Sequence, residues 1–238
     1  MDFKQITETY KYKTELHAHS HPVSSCGRFS PAEVVEIYAN ENCHTLTLTN
    51  HLLPKNLIGK TPDELSEYYL NDYYEAKEAA KKYGMNVALG VEIRFADSNN
   101  DYLVYGICPD DIKHMAEYVN TDISTFYRDF KNDKNIILHA HPFRSNMAPT
   151  PMGSVDGIET FNTHPGHNSA IGVATKFAKK HDLIVSGGSD FHEEGRQATC
   201  LMRTKAPMLD SYDVAAALKS RDVIFDVSGH IVIPYLYN

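Results

Sequence analysis

The chain has 238 residues, with 23 Lys and Arg against 31 Asp and Glu, for a formal charge of −8. That length buries a core without disulfides, and 42% hydrophobic with 23% charged residues is a soluble globular composition. The acidic balance argues against nucleic acid or an anionic membrane surface as the main partner.

No apolar run approaches the ~18 residues that span a bilayer, and the N-terminus lacks the apolar stretch of a secretory signal. Along the chain, short β-rich runs are expected at 14–18, 45–49, 86–94, 102–107, 135–140, 157–161, 183–186, 199–203 and 223–227. Helical patterns lie between them near 31–42, 62–83, 109–118, 122–133, 168–181 and 210–221. Ser30-Pro31-Ala32-Glu33 and Thr61-Pro62-Asp63-Glu64 are capping boxes with Pro at the first helical position. No linker or repeat divides the sequence, so residues 1–238 read as one domain. Strand–helix alternation predicts an α/β fold with a largely parallel sheet, and the number of units suggests a closed barrel. No Gly-x-Gly-x-x-Gly follows the first strand to support a nucleotide-binding open sheet. Cys26, Cys43, Cys108 and Cys200 form no Cys-x-x-Cys pair. Free thiols in a reducing cytoplasm are expected.

The chemistry gathers at strand ends. The 13 histidines form no tract. Instead the first strand ends in His17-Ala18-His19, the second in Asn50-His51 and the third in Gly90-Val91-Glu92. Later ones end in His139-Ala140-His141 and Ser189-Asp190-Phe191-His192, and Glu159 lies on the strand between them. In a parallel barrel these ends open on one face. Side chains two apart on a strand share a side, so His17 with His19, His139 with His141, and Asp190 with His192 are candidate ligand pairs. Imidazole with carboxylate suits zinc, manganese or iron, and Glu92 has two oxygens with which to bridge. The ligands exceed what one tetrahedral ion needs, so two or three ions are expected. Burying these groups without a cation would carry a large desolvation cost. His44, His114, His181 and His230 read as surface or packing residues. His164 and His167 read as loop or substrate-contact residues, and Cys26 as a small buried thiol or a soft ligand.

These residues resemble the PHP (polymerase and histidinol phosphatase) family of metal-dependent phosphoesterases. The elements are His17-x-His19, Thr49-x-His51, Gly90-x-Glu92, His141-Pro142 and Ser189-Asp190-x-His192, spread over almost the whole chain. The resemblance implies a distorted seven-stranded β/α (TIM-like) barrel with two or three divalent ions at its mouth. It implies that His17, His19, Glu92 and Asp190 hold the first ion, that Glu92 bridges to a second held by His141, and that His51 and His192 hold a third. Asn50 and Cys26 stand where the family usually has Asp. Asp101 is a possible additional ligand, and His139 is either an extra ligand or a donor behind the ligands. The expected reaction is hydrolysis of a small phosphorylated metabolite, such as a histidinol-phosphate-like or nucleotide phosphate, by a metal-bound hydroxide, with Asp190 and His192 beside it. Arg28, Arg144 and Arg196 are expected to clamp the phosphate. The alternatives are an amidohydrolase-type metal hydrolase and a non-catalytic metal-binding PHP module.

Overall fold

The computed structural model of the chain describes residues 3–235. In chain order its elements are α1 (Phe3–Thr9), β1 (Tyr12–Ala18), α2 (Pro31–Asn40), β2 (Thr45–Leu48), β3 (His51–Leu52), α3 (Pro62–Ala80), β4 (Asn86–Leu89), β5 (Val91–Arg94) and β6 (Asp101–Tyr105). They continue as α4 (Pro109–Tyr118), α5 (Ile123–Phe130), β7 (Ile136–His139), β8 (Gly157–Asn162), α6 (Ile171–Lys180), β9 (Ile184–Gly188), β10 (Cys200–Thr204), α7 (Ser211–Ser220), β11 (Ile224–Val227) and β12 (His230–Val232). Both capping boxes form. The Ser30 and Thr61 hydroxyls accept from the amides of Glu33 and Glu64, at 3.4 and 3.2 Å. The two glutamates accept in return from the cap amides, at 2.8 and 2.7 Å, which satisfies amides that helix geometry leaves unpaired.

The strands form two six-stranded sheets, ordered β12-β11-β10-β1-β2-β4 and β3-β5-β6-β7-β8-β9. This corrects the expectation of one closed, seven-stranded and mainly parallel barrel. The β1–β2, β2–β4, β3–β5, β7–β8 and β8–β9 pairs are parallel. The β1–β10, β10–β11, β11–β12, β5–β6 and β6–β7 pairs are antiparallel. Gly90 shows why one run becomes two strands. A Cβ there would lie 2.7 and 2.9 Å from the methyls of Thr49 and Thr47, so only glycine lets the chain pass this close as it leaves β4 for β5. The chain makes the same change of sheet between β2 and β3, around Asn50. The sheets touch where Ala18, at the end of β1, bridges Phe191 just past β9.

Two apolar clusters flank the sheets. One joins Val34, Tyr38, Leu65, Tyr69, Ile112 and Met115 from α2, α3 and α4. The other joins Leu16, Leu138, Phe161, Val214 and Leu218, with α6 and α7 packed over it. Among the described residues no helix is long and apolar enough to cross a membrane.

Candidate metal centre

The ends of β1, β5 and β9 bring four buried side chains together. His17 and His19 are fully buried, and Glu92 and Asp190 are no more than 3% exposed. His17 Nε2 lies 3.4 Å from Glu92 Oε1 and 3.5 Å from Asp190 Oδ1. His19 Nε2 lies 3.3 Å from Glu92 Oε2 and 3.4 Å from Asp190 Oδ1. Asp190 reaches this position with a φ of +51°, a conformation costly for any residue but glycine and typical of functional sites. His141, just past β7, does the same with a φ of +31°.

The other ring nitrogens fix the direction of these two histidines. His17 Nδ1 lies 2.9 Å from Glu159 Oε1, which can only accept. Glu159 is held in turn, because its second oxygen accepts from the His141 amide at 3.0 Å and from Asn162 Nδ2 at 2.9 Å. His19 Nδ1 lies 3.2 Å from Ser24 Oγ, whose proton is already given to Asn50 Oδ1. His19 therefore donates from Nδ1. Both rings turn Nε2 toward carboxylate oxygens, and neither Nε2 has a hydrogen-bond partner among the described residues. A lone pair against a carboxylate is repulsive unless a cation lies between them. Ligand atoms ~2.0–2.1 Å from a tetrahedral zinc are themselves ~3.4 Å apart, which is the spacing seen here. The residues therefore fit a divalent cation with nitrogen and oxygen ligands.

Without an ion, a proton competes for the same place. Burial alone would lower His17, but the charges of Glu159, Asp190 and Glu92 outweigh it and raise His17 well above the usual histidine range. Burial would raise Glu92 and Asp190, yet both are held well below the carboxylate norm, Glu92 by the charges of His17 and His51 and Asp190 by the charge of His17 and the adjacent His19 ring. His19 is lowered by burial and by the charges of His192 and His51.

Two further groupings adjoin the first: His51 with Glu92 and Asp101, and His19 with His51 and His192. His51 Nδ1 lies 2.9 Å from Glu92 Oε2 without the angle of a hydrogen bond. Burial lowers His51, but Glu92 and the Cys26 thiol raise it overall to about 10. His141 Nε2 lies 3.0 Å from Glu92 Oε1 and 3.9 Å from Asp101 Oδ2. Asp101 is gripped by Arg94 through Nε at 2.7 Å and Nη2 at 2.6 Å. Cys26 is exposed, not the small buried thiol that was one expectation; partial desolvation would raise its thiol, but hydrogen bonds to His192 and His51 bring it down to about 5. Asn50 stands outside these groups: its Nδ2 donates to Asp72 Oδ2 and to Ser20 Oγ, both at 2.9 Å. A carboxylate could not make those two donations, which accounts for the amide.

His139 is placed elsewhere. Its Nδ1 pairs with Thr150 Oγ1 at 2.8 Å, its ring packs on Tyr102, and it belongs to none of the three groupings. This corrects its expected pairing with His141 as a ligand. β7 ends at His139, so the alternation that would put both side chains on one side stops there, and the left-handed turn at His141 sends that side chain to Glu92. Arg28, Arg144 and Arg196 all line a cleft of about 350 Å³ with Cys26, His164 and His192. Arg144 is the most buried of the three, with Nη2 at 2.8 Å from Asn162 Oδ1 and 2.5 Å from Asp190 Oδ2. Arg28 is largely exposed and Arg196 partly so, both pairing with Glu193. Arg94 also lines the cleft and has no sequence motif to reveal it. Glu159, Asn162 and Ser24 orient the ligands. Glu159 lies within β8 and Asn162 ends it, which gave a positional signal but no role.

No protein-family model and no curated protein matches the sequence. Solved structures do match in fold. A two-domain protein from Bacteroides vulgatus, described as containing a predicted PHP-like metal-dependent phosphoesterase, superposes with a TM-score of 0.63 at 18% identity. The match covers 91% of this chain and 64% of that one, so this chain spans less than two thirds of that protein's length. PsfC from Pseudomonas syringae has a TM-score of 0.62 at 11% identity, covering 86% of this chain and 88% of its own. An amidohydrolase from Chromobacterium violaceum has a TM-score of 0.51 at 18% identity, covering 76% and 88%. The chain thus shares the fold of a two-domain protein described as containing a predicted PHP-like metal-dependent phosphoesterase, and it brings His17, His19, His51, Glu92, His141, Asp190 and His192 together beside one cleft.

Proposed function

We propose that residues 1–238 form a metal-dependent phosphoesterase that hydrolyses a small phosphorylated metabolite with two or three divalent ions of zinc, manganese or iron. The observation that carries this reading is the meeting of His17 Nε2 and His19 Nε2, both unpartnered, with Glu92 and Asp190 beside an arginine-lined cleft. In this reading His17, His19, Glu92 and Asp190 hold one ion, Glu92 and His141 a second with Asp101 beside them, and His51 and His192 a third with Cys26 as neighbour. Bound there, divalent cations supply Lewis acidity and a water of near-neutral pKa.

The chain's own residues do the rest. Glu159 keeps His17 in the tautomer that presents Nε2, as Ser24 does for His19. Arg144 offers a planar fork to the non-bridging oxygens of a phosphate, where preorganised charge is the largest contribution to rate. Burial lowers His192, but its hydrogen bond to Cys26 and the charge of Asp190 raise it overall. In a two-ion enzyme His192 therefore holds a proton for the leaving alkoxide.

The amidohydrolase reading draws support from the Chromobacterium violaceum neighbour. The guanidinium groups of Arg28, Arg94, Arg144 and Arg196 around the cleft favour a phosphate over a neutral amide. The test is metal analysis followed by a panel of phosphate esters and N-acyl amino acids. Ester turnover that vanishes in His17→Ala and Asp190→Ala supports the proposal. Amide turnover alone, or bound metal with no hydrolysis at all, overturns it.

A further inference from the structure

Arg94 and Asp101 stand opposite each other where β5 pairs antiparallel with β6. Side chains two apart on a strand share a face, so Arg94 rises on the same side of β5 as Glu92, ~7 Å further along the strand. Both members of the pair line the cleft with His51, Glu92 and His141. A guanidinium thus stands beside the candidate ion cluster, on the β5 side of the cleft that Arg144 enters from Asn162 and Asp190.

Arg94 Nε lies 2.7 Å from Asp101 Oδ1, and Nη2 lies 2.6 Å from Oδ2, a contact of fork against fork. The Asp101 side chain is 3% exposed, and Arg94 engages both of its oxygens. Arg28 and Arg196 share Glu193 instead, which is 25% exposed. An ion pair anchored on a buried carboxylate keeps its geometry, whereas one at the surface is screened and loosened. Asp101 occupies only the side edge of the Arg94 plane. Both N–H groups of Nη1 and the outer one of Nη2 have no acceptor among the described residues. They make up the end edge of the guanidinium, a second two-pronged donor that matches two oxygens of a phosphate. The Arg94 side chain is 34% exposed, so a ligand in the cleft can reach it. Asp101 also lies 3.9 Å from His141 Nε2, close to the candidate ligands, but its oxygens are committed to Arg94.

We propose that Arg94 is a further substrate-binding residue, which grips non-bridging phosphate oxygens with its end edge, and that Asp101 is its positioning residue rather than a metal ligand. This assignment rests on the phosphoesterase reading, and the experiment separates the two. Methylphosphonate is titrated calorimetrically into zinc-loaded protein, the bound zinc is counted in each sample, and phosphate esters are assayed in parallel. Arg94→Lys keeps a cation for Asp101 but loses the fork. Asp101→Asn keeps the shape but can accept only one of the two bonds.

Both variants are expected to bind methylphosphonate about tenfold more weakly while holding the wild-type number of ions. On an ester that is hydrolysed, both should raise KM more than they lower kcat, because the contact is made to the bound phosphate before as well as during reaction. Should Asp101→Asn fail to fold, Arg94→Lys alone decides. Equal methylphosphonate affinity in wild type and Arg94→Lys overturns the assignment of Arg94, even where esters are hydrolysed. Loss of an ion in Asp101→Asn makes Asp101 a ligand and overturns its assignment as the residue that holds Arg94. Weakened methylphosphonate binding in both variants with no ester hydrolysed by the wild type keeps the Arg94 site and overturns the phosphoesterase reading.

Discussion

Glu159 Oε1 lies 2.9 Å from His17 Nδ1, deep in the protein, and decides which nitrogen His17 turns toward Glu92 and Asp190. Carboxylates behind a ligating histidine raise its basicity and fix its tautomer. Glu159→Gln keeps the shape and one acceptor but removes the charge and replaces the other accepting oxygen with a donor. We expect metal affinity to fall about 10- to 100-fold, measured by competition with a chelator. Unchanged affinity would show that Glu159 is a packing residue.

Protons and ions compete for the same nitrogens. His51 is raised to about 10, by Glu92 and Cys26 against the lowering effect of burial, and His17 is raised well above its usual value. At pH 7.5 the metal-free protein holds protons at both, and metal uptake must expel them. Apparent affinity should therefore rise with pH and level off for His51 only near pH 10. Calorimetric titrations in buffers of different ionisation enthalpy should report release of at least one proton per protein at pH 7.5. Uptake without proton release would contradict this.

The arginines should separate by burial. Arg144 is mostly buried and held by Asp190 and Asn162, whereas the Arg28 side chain is 71% exposed. Arg144→Lys is expected to lower kcat/KM for a phosphate ester about 100-fold, because an ammonium cannot reproduce the two-pronged contact. Arg28→Ala should stay within about threefold, as exposed pairs contribute little. Steady-state kinetics on one ester decides both.

Gly188 ends β9 against β1. A Cβ there would run into His17 Cβ and lie 3.0 Å from the His17 amide nitrogen. Gly188→Ala should cost about 1–3 kcal/mol of stability and weaken metal binding, because β1 must shift to make room. Denaturant titration of the metal-free protein with a parallel metal titration reads both effects.

Much of this site was legible in the sequence because its ligands stand at strand ends, where residue type and position reinforce each other. His17, His19, Glu92 and Asp190 could be read that way although 173 residues separate His17 from Asp190 by their numbers. His139 could not be separated from His141 by spacing, since the positive φ at His141 that ends the alternation leaves no mark in the sequence. The run at 86–94 read as one strand because Gly90 looks like any glycine until Thr47 and Thr49 are seen against it. Arg94 and Ser24 sit in no motif; their roles arise only when Asp101 and Asn50 come to meet them. The short β3 and β12 and the helix α1 were also missed, being too short to carry a periodic signal.

The most direct measurement is anomalous diffraction from crystals grown with manganese or zinc, with data collected on both sides of the metal absorption edge. A peak is expected ~2.0–2.2 Å from His17 Nε2, His19 Nε2 and a carboxylate oxygen of Asp190, with a second peak beside Glu92 and His141. Metal-soaked crystals in which His17 and His19 keep their places but no anomalous density lies between them and Asp190 would contradict it.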